Sequence, residues 1–451
     1  MLNKIKKEKK YRGFSLIEAL VLIFIFTIIS LAFYGTFSLG IRYIQDSKNR
    51  LGALALANEK MEIVRNLEYS TIGTTTGIPN GDLTAEEDVV VNNVSYHVST
   101  FVQYIDDPFD DESPDDVISN DYKRVKITVS WGSAESDGQE IFLISRFVPP
   151  GLEMDAEGGI LAINIINNEG IGVPQSQVRL INSGVSPSID ITALTDDSGY
   201  LIFPGAPESL NGYEITVTKD NYETVITVDP DSVLYLPNDP HASVIEGRLN
   251  TKTIHQDELS DINLETIDHL GSAVPNVDFH IEGGRVLGTV SADVPPVYVY
   301  NLDEDGLTNS SGEKDYEDMS PGQYFISPDE SITGYTLVGI SPASPIIVSP
   351  GSSQAVEIKY VSNTVDSLIV TVIGNEDSEP INGAEVKLSN GVNYDETITT
   401  STDGIAFFPV DENPLLPGTY TLEISAEGFQ DHSESVSISQ VVKKEIIMIV
   451  E

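Results

Sequence analysis

Hydrophobic and polar positions divide the chain into three patterns. Residues 19–41 form an uncharged run rich in Leu, Ile and Phe. As a helix this run spans about 35 Å at about 1.5 Å per residue, enough to cross a bilayer. No proline occurs before Pro79, and Leu54, Ala57, Met61 and Val64 recur at three- and four-residue spacing, with Asn58, Glu59, Glu62 and Arg65 off that stripe. The pattern predicts one helix over 14–66, amphipathic in its second half, with the apolar stripe turned towards its own head domain.

The second pattern is alternation. Val94, Tyr96, Val98, Val102 and Tyr104 alternate with polar residues, as do Val125, Ile127, Val129 and Trp131, and a further strand is predicted from Ile141 to Val148. A small antiparallel β head is therefore expected over 67–149. Three or four strands cannot enclose a core alone, so the helix stripe must supply its other side.

The third pattern is repetition after Pro149-Pro150-Gly151. Pro174, Val178, Leu180, Gly199, Phe203, Gly212-Tyr213 and Tyr222 are matched by Pro380, Val386, Leu388, Gly404, Phe408, Gly418-Thr419-Tyr420 and Phe429. A looser middle copy runs through Pro275, Val277, Phe279, Gly312, Tyr316, Tyr324 and Tyr335. It has about twelve extra residues before Gly312, expected as a loop around Val290 to Leu302. Short alternating strands punctuated by Gly, Pro, Asp and Asn predict three β-sandwiches, over 150–248, 249–362 and 363–451. The recurring aromatics are expected to fill their cores.

Charge changes this picture in two places. The chain carries 70 acidic against 25 basic residues, a formal net charge of -45. Such a surface suits solubility and disfavours direct contact with nucleic acid or anionic lipid. The start is the exception: residues 1–13 hold Lys4, Lys6, Lys7, Lys9, Lys10 and Arg12 against Glu8 alone. By the positive-inside rule this leader stays cytoplasmic and everything after Ile41 faces outward. The apolar run is too long for an ordinary signal peptide, and no Ala-x-Ala site closes it. Glu18 stands at its margin, where a carboxylate costs roughly 2.5–3.5 kcal/mol on insertion scales and is a functional candidate by default.

Gly13-Phe14-Ser15-Leu16-Ile17-Glu18 after a basic leader resembles the processing signal of type IV pilins and type II secretion pseudopilins. The resemblance implies cleavage after Gly13 by a prepilin peptidase, N-methylation of Phe14 as the mature terminus, and an assembly role for Glu18. Cleavage leaves a cationic amine to meet Glu18 of an adjacent subunit, pairing a buried charge. Many pilins carry a helix-breaking proline in this half, where the chain has Gly35 and Gly40. The implied partners are the peptidase, other pilin or pseudopilin subunits and an inner-membrane assembly platform, with a protein or glycan as surface ligand. The implied location is the cytoplasmic membrane before assembly and a cell-surface filament after it.

The sandwich layout resembles carboxypeptidase regulatory-like and collagen-adhesin B-type domains, which are transthyretin-like or Ig-like sandwiches. Some B-type domains form a Lys-Asn isopeptide bond. Ile160 to Ile166 and Leu368 to Ile373 contain no lysine, so none is expected here. The fold expected is thus an α+β pilin part, a long helix with a small β head, followed by all-β repeats.

No catalytic constellation stands out. There is no cysteine, no His-Glu-x-x-His, no Gly-x-Ser-x-Gly and no phosphate loop. An acidic stretch with Asp106, Asp107, Asp110 and Asp111 has the oxygen ligands calcium prefers, but no EF-hand spacing, and a solvated loop explains it equally. Asp303-Glu304-Asp305-Gly306 reads as an acidic turn, and His255 and His269 as linker-like surface. No other cofactor is implied. Three roles remain: a minor, non-enzymatic pilin at low copy, perched at a filament tip by its bulk; a secretion or DNA-uptake pseudopilin; or an anchored surface protein that never polymerises.

Overall fold

The computed structural model describes residues 16–75, 77–105, 121–132, 139–149, 158–290, 295–376, 378–410 and 413–451. They fall into two compact units, dividing between residues 154 and 155.

The first unit begins with one unbroken helix, Leu16–Arg65. Its apolar half contains two threonines, and each hydroxyl donates to a carbonyl one turn back: Thr27 to Ile23 at 2.8 Å and Thr36 to Ala32 at 3.0 Å. Both threonine hydroxyls are thereby satisfied without water. Beyond the helix, Glu86–Val91, Val94–Ile105, Tyr122–Trp131 and Gln139–Phe147 form a four-stranded antiparallel meander in sequence order. Asn92 and Asn93 turn the first hairpin with positive φ at both residues, the two-residue geometry that matches strand twist.

One face of this sheet packs on the helix. Tyr96, Val98, Val102, Val125, Ile127, Val129 and Trp131 meet Ala53, Leu56, Ala57, Met61 and Val64. The inward stripe differs slightly from the expected one: Leu54 sits at its border, 41% exposed, while Ala53 and Leu56 point in. A 3.6-residue period through Ala57, Met61 and Val64 reaches back to Ala53 rather than Leu54.

The second unit contains three sandwiches of one layout. In each, the first strand lies between two fixed neighbours. One is an antiparallel strand that follows a glycine turn, and the other is the last strand, which runs parallel. Gly159–Ile166 is flanked by Tyr200–Ala206 and Leu249–His255. Ser260–Asp268 is flanked by Glu313–Met319 and Ser353–Ser362. Ser367–Gly374 is flanked by Ile405–Phe408 and Val441–Met448. Leu249–His255 therefore completes the first sandwich, and the seam to the second follows His255 rather than residue 248.

Two readings of the middle copy are corrected. Residues 297–302 are strand rather than the expected loop. They lengthen a hairpin of Asp278–Val290 against Val297–Leu307, whose β-branched and tyrosine residues favour strand. Asp303-Glu304-Asp305-Gly306 lies inside that hairpin and is not a turn. Gly306 is there for close packing: a Cβ would meet the Phe279 ring at 2.4 Å.

Candidate functional site

The sequence singles out the chain's beginning, and the helix supplies its setting. From Leu16 to Ile44 the large apolar side chains are exposed, Leu16 at 85% and Phe33 at 71%. This helix is long and apolar enough to cross a membrane. Glu18 stands on its first turn. Gly13 and Phe14 lie outside the described residues, as do Asp106, Asp107, Asp110 and Asp111.

The half of the helix on the sheet is locked by specific contacts. Tyr96 donates its hydroxyl to the Asn49 carbonyl at 3.0 Å, passing over Gly52, where a Cβ would sit 2.4 Å from that oxygen. Lys60 pairs with Glu87 at 2.5 Å. On the inward parity of its strand, Lys123 is buried and donates to the Tyr69 and Ile72 carbonyls at 2.9 and 2.7 Å. Its ammonium also lies 4.7 Å from the Tyr69 ring centre. Desolvation lowers the Lys123 pKa to about 8 and raises that of Tyr69 above its ordinary range. The Tyr104 ring centre lies 5.5 Å from the same ammonium, and these neutral partners hold it less well than water does.

In the sandwiches a buried threonine recurs four residues before each turn glycine. Thr195 donates to the Val173 carbonyl at 2.9 Å and accepts from the Ser176 amide at 2.9 Å. Thr400 does the same with Ile381 at 2.6 Å and Ala384 at 2.9 Å, and Thr308 accepts from the Val277 amide at 2.9 Å. The glycines Gly199, Gly312 and Gly404 all have φ between +71° and +80°, and at each a Cβ would strike a carbonyl of the first strand. Sequence reading missed the threonines although their offset was visible.

The first two sandwiches are also joined by ions. Arg285 reaches Glu223 and Asp239, both at 2.7 Å, and donates to the His255 carbonyl at 3.0 Å. Leu236–Pro237 adds to the second sandwich's sheet opposite Thr289 and Gly288. His255 is exposed. His269 packs edge-on against Phe407 across the seam to the third sandwich, ring centres 6.1 Å apart. Among the described residues no group of three or more His, Asp or Glu is placed to hold a metal ion.

Residues 9–34 match the model of the prokaryotic N-terminal methylation motif. The part of that match from Leu16 onward lies on the exposed apolar helix. Against curated proteins the sequence gives no match. Among solved structures it is similar to the Bacillus anthracis TIE protein, at 14% identity over 81% of this chain and 72% of that one, with a TM-score of 0.19. A Streptococcal ancillary pilin matches at 12% identity over 65% of this chain and 98% of its own, TM-score 0.20. The shaft pilin SpaA from Lactobacillus rhamnosus GG matches at 13% over 43% and 98%, TM-score 0.16. At such TM-scores these likenesses carry no argument about role.

Proposed function

We propose that the chain is a prepilin-type structural subunit, cut after Gly13 by a prepilin peptidase, methylated at Phe14 and drawn through Glu18 into an extracellular filament. The observation that carries this reading is the methylation motif over 9–34 at the head of one exposed apolar helix whose second half is sealed by its own β head. A carboxylate at the margin of such a helix is costly alone and is neutralised by a neighbour's terminal amine. The three sandwiches, of the carboxypeptidase regulatory-like or collagen-adhesin B kind, then form an acidic display surface. Their bulk suits a low-copy subunit, since some 300 residues on every subunit would crowd a helical lattice. The role is mechanical and adhesive rather than catalytic.

Mass spectrometry of the mature N-terminus tests the processing. Methylated Phe14 is the expected first residue, and an intact Met1 would sink the reading. Labelling purified filaments tests the copy number. Sparse or terminal label is expected, and label at every subunit would overturn the low-copy assignment.

A further inference from the structure

The extended hairpin of the second sandwich carries an aromatic row on the sheet face away from the core. On Gly322–Pro328, Tyr324 and Ile326 are buried while Phe325 lies on the other face. Tyr300 sits beside it across the central strand, with ring centres 6.1 Å apart, and Tyr298 continues the row at 6.3 Å. The rings are tilted by 52° and 53°, and Tyr298 is 49% exposed. None of the three belongs to the packed core of this sandwich.

Carboxylates border the row. Phe325 stands opposite Glu282 in the sheet register. Further along the same hairpin, His280 lies between Asp303 and Asp305, at 3.4 and 2.9 Å, and both carboxylates remain largely exposed. Residues 155–451 hold 48 acidic against 10 basic residues, so the field around this face is negative throughout. Aromatic faces are negative as well and attract ammonium and guanidinium groups.

We propose that this face binds a lysine- or arginine-bearing segment of a partner polypeptide, laid out in extended form. Alternate side chains of an extended strand are about 6.6 Å apart, close to the spacing of the rings. Two cations at that interval would each cover a ring, with Glu282, Asp303 and Asp305 compensating their charge. A neutral glycan would use the rings and leave the carboxylates and the field without a role. The inference rests on the display reading only for where the partner is met, because binding is measured on the purified chain and filament incorporation is measured separately.

The test uses the full chain in detergent micelles and a fluorescein-labelled heptapeptide of alternating Lys and Ser, followed by anisotropy near 150 mM salt. The double substitution Tyr298→Leu, Tyr300→Leu keeps the formal charge and is expected to weaken binding at least fivefold. Unchanged affinity would overturn the proposal, since the peptide would then be collecting on general charge. Should that variant melt with altered cooperativity, Asp303→Asn with Asp305→Asn takes its place. It is expected to weaken binding at least threefold more than Glu385→Gln with Glu427→Gln, which removes equal charge from the third sandwich. Equal effects of the two pairs would overturn the proposal. Binding of cellohexaose that is lost in the tyrosine variant would also overturn it, in favour of a glycan face.

Discussion

The two halves of the helix Leu16–Arg65 are both apolar on at least one side, yet their surroundings are opposite. Ala53, Ala57, Met61 and Val64 are almost sealed by the head sheet, while Ile17, Phe24, Phe33 and Tyr34 expose most of their surface. Burying a side chain of this size is worth about 1.5–3 kcal/mol. The first half forgoes that gain within the chain and must find it elsewhere: on the proposed reading, first in lipid and then among neighbouring helices. Hydrophobicity alone therefore does not mark a core. What distinguishes the second half is a period that leaves room for polar residues on the far side, and a sheet of matching parity.

The largest effects should separate the halves cleanly. Glu18→Ala is expected to abolish incorporation into filaments, while thermal unfolding of the head stays unchanged. Filaments that still contain the variant would break the proposed division of labour. Ile127→Ala should do the reverse. Ile127 is fully buried against the helix stripe, and its truncation is expected to cost about 2–5 kcal/mol of head stability in denaturant unfolding. The transition of the sandwich unit should not move, because no residue of that core belongs to it.

The third effect is a pH dependence of the head. Lys123 has its pKa lowered to about 8 by burial, against an unfolded value near 10.5. Between these values the unfolded chain binds more protons than the folded one, so stability rises with pH. A gain on the order of 1–3 kcal/mol is expected from pH 8 towards 10. Above that range Tyr69 and Tyr104, whose pKa values burial raises, keep protons that the unfolded chain releases, and stability falls again. Lys123→Met should flatten the rise, and an unaltered profile in that variant would remove Lys123 from the account.

Much of this is legible in the sequence. The parity of Val125, Ile127 and Val129 gives their strand's inward side, but Lys123, buried on the same parity, goes against its residue type and carried no signal. The apolar run and the stripe defined one helix. The parallel closing strands were not legible, because a period of two reports which side is buried and says nothing about a partner some 90 residues away. That is why Leu249–His255 fell on the wrong side of a seam. Thr195, Thr308 and Thr400 were missed because a residue's type does not report the backbone groups that its hydroxyl will meet. For Gly13, Phe14 and Glu18 the motif alone speaks, since two of them lie outside the described residues.

The smallest effect sharpens the comparison most, because it puts one substitution in both halves. Gly40 and Gly52 are both helical, and glycine in a helix interior costs about 0.5–1 kcal/mol relative to alanine. At Gly40 nothing lies within 4 Å of an added Cβ. Gly40→Ala is therefore expected to leave head stability unchanged and to raise the helicity of the isolated segment slightly. At Gly52 the same methyl would displace the Tyr96 hydroxyl from the Asn49 carbonyl, and that half-buried bond is worth about 1 kcal/mol. Gly52→Ala should then lower head stability by a net ~1 kcal/mol once crowding is included. If the two substitutions behaved alike in head unfolding, the second half would not be held by the fit of Tyr96, and the sheet would be gripping the helix through its apolar stripe alone.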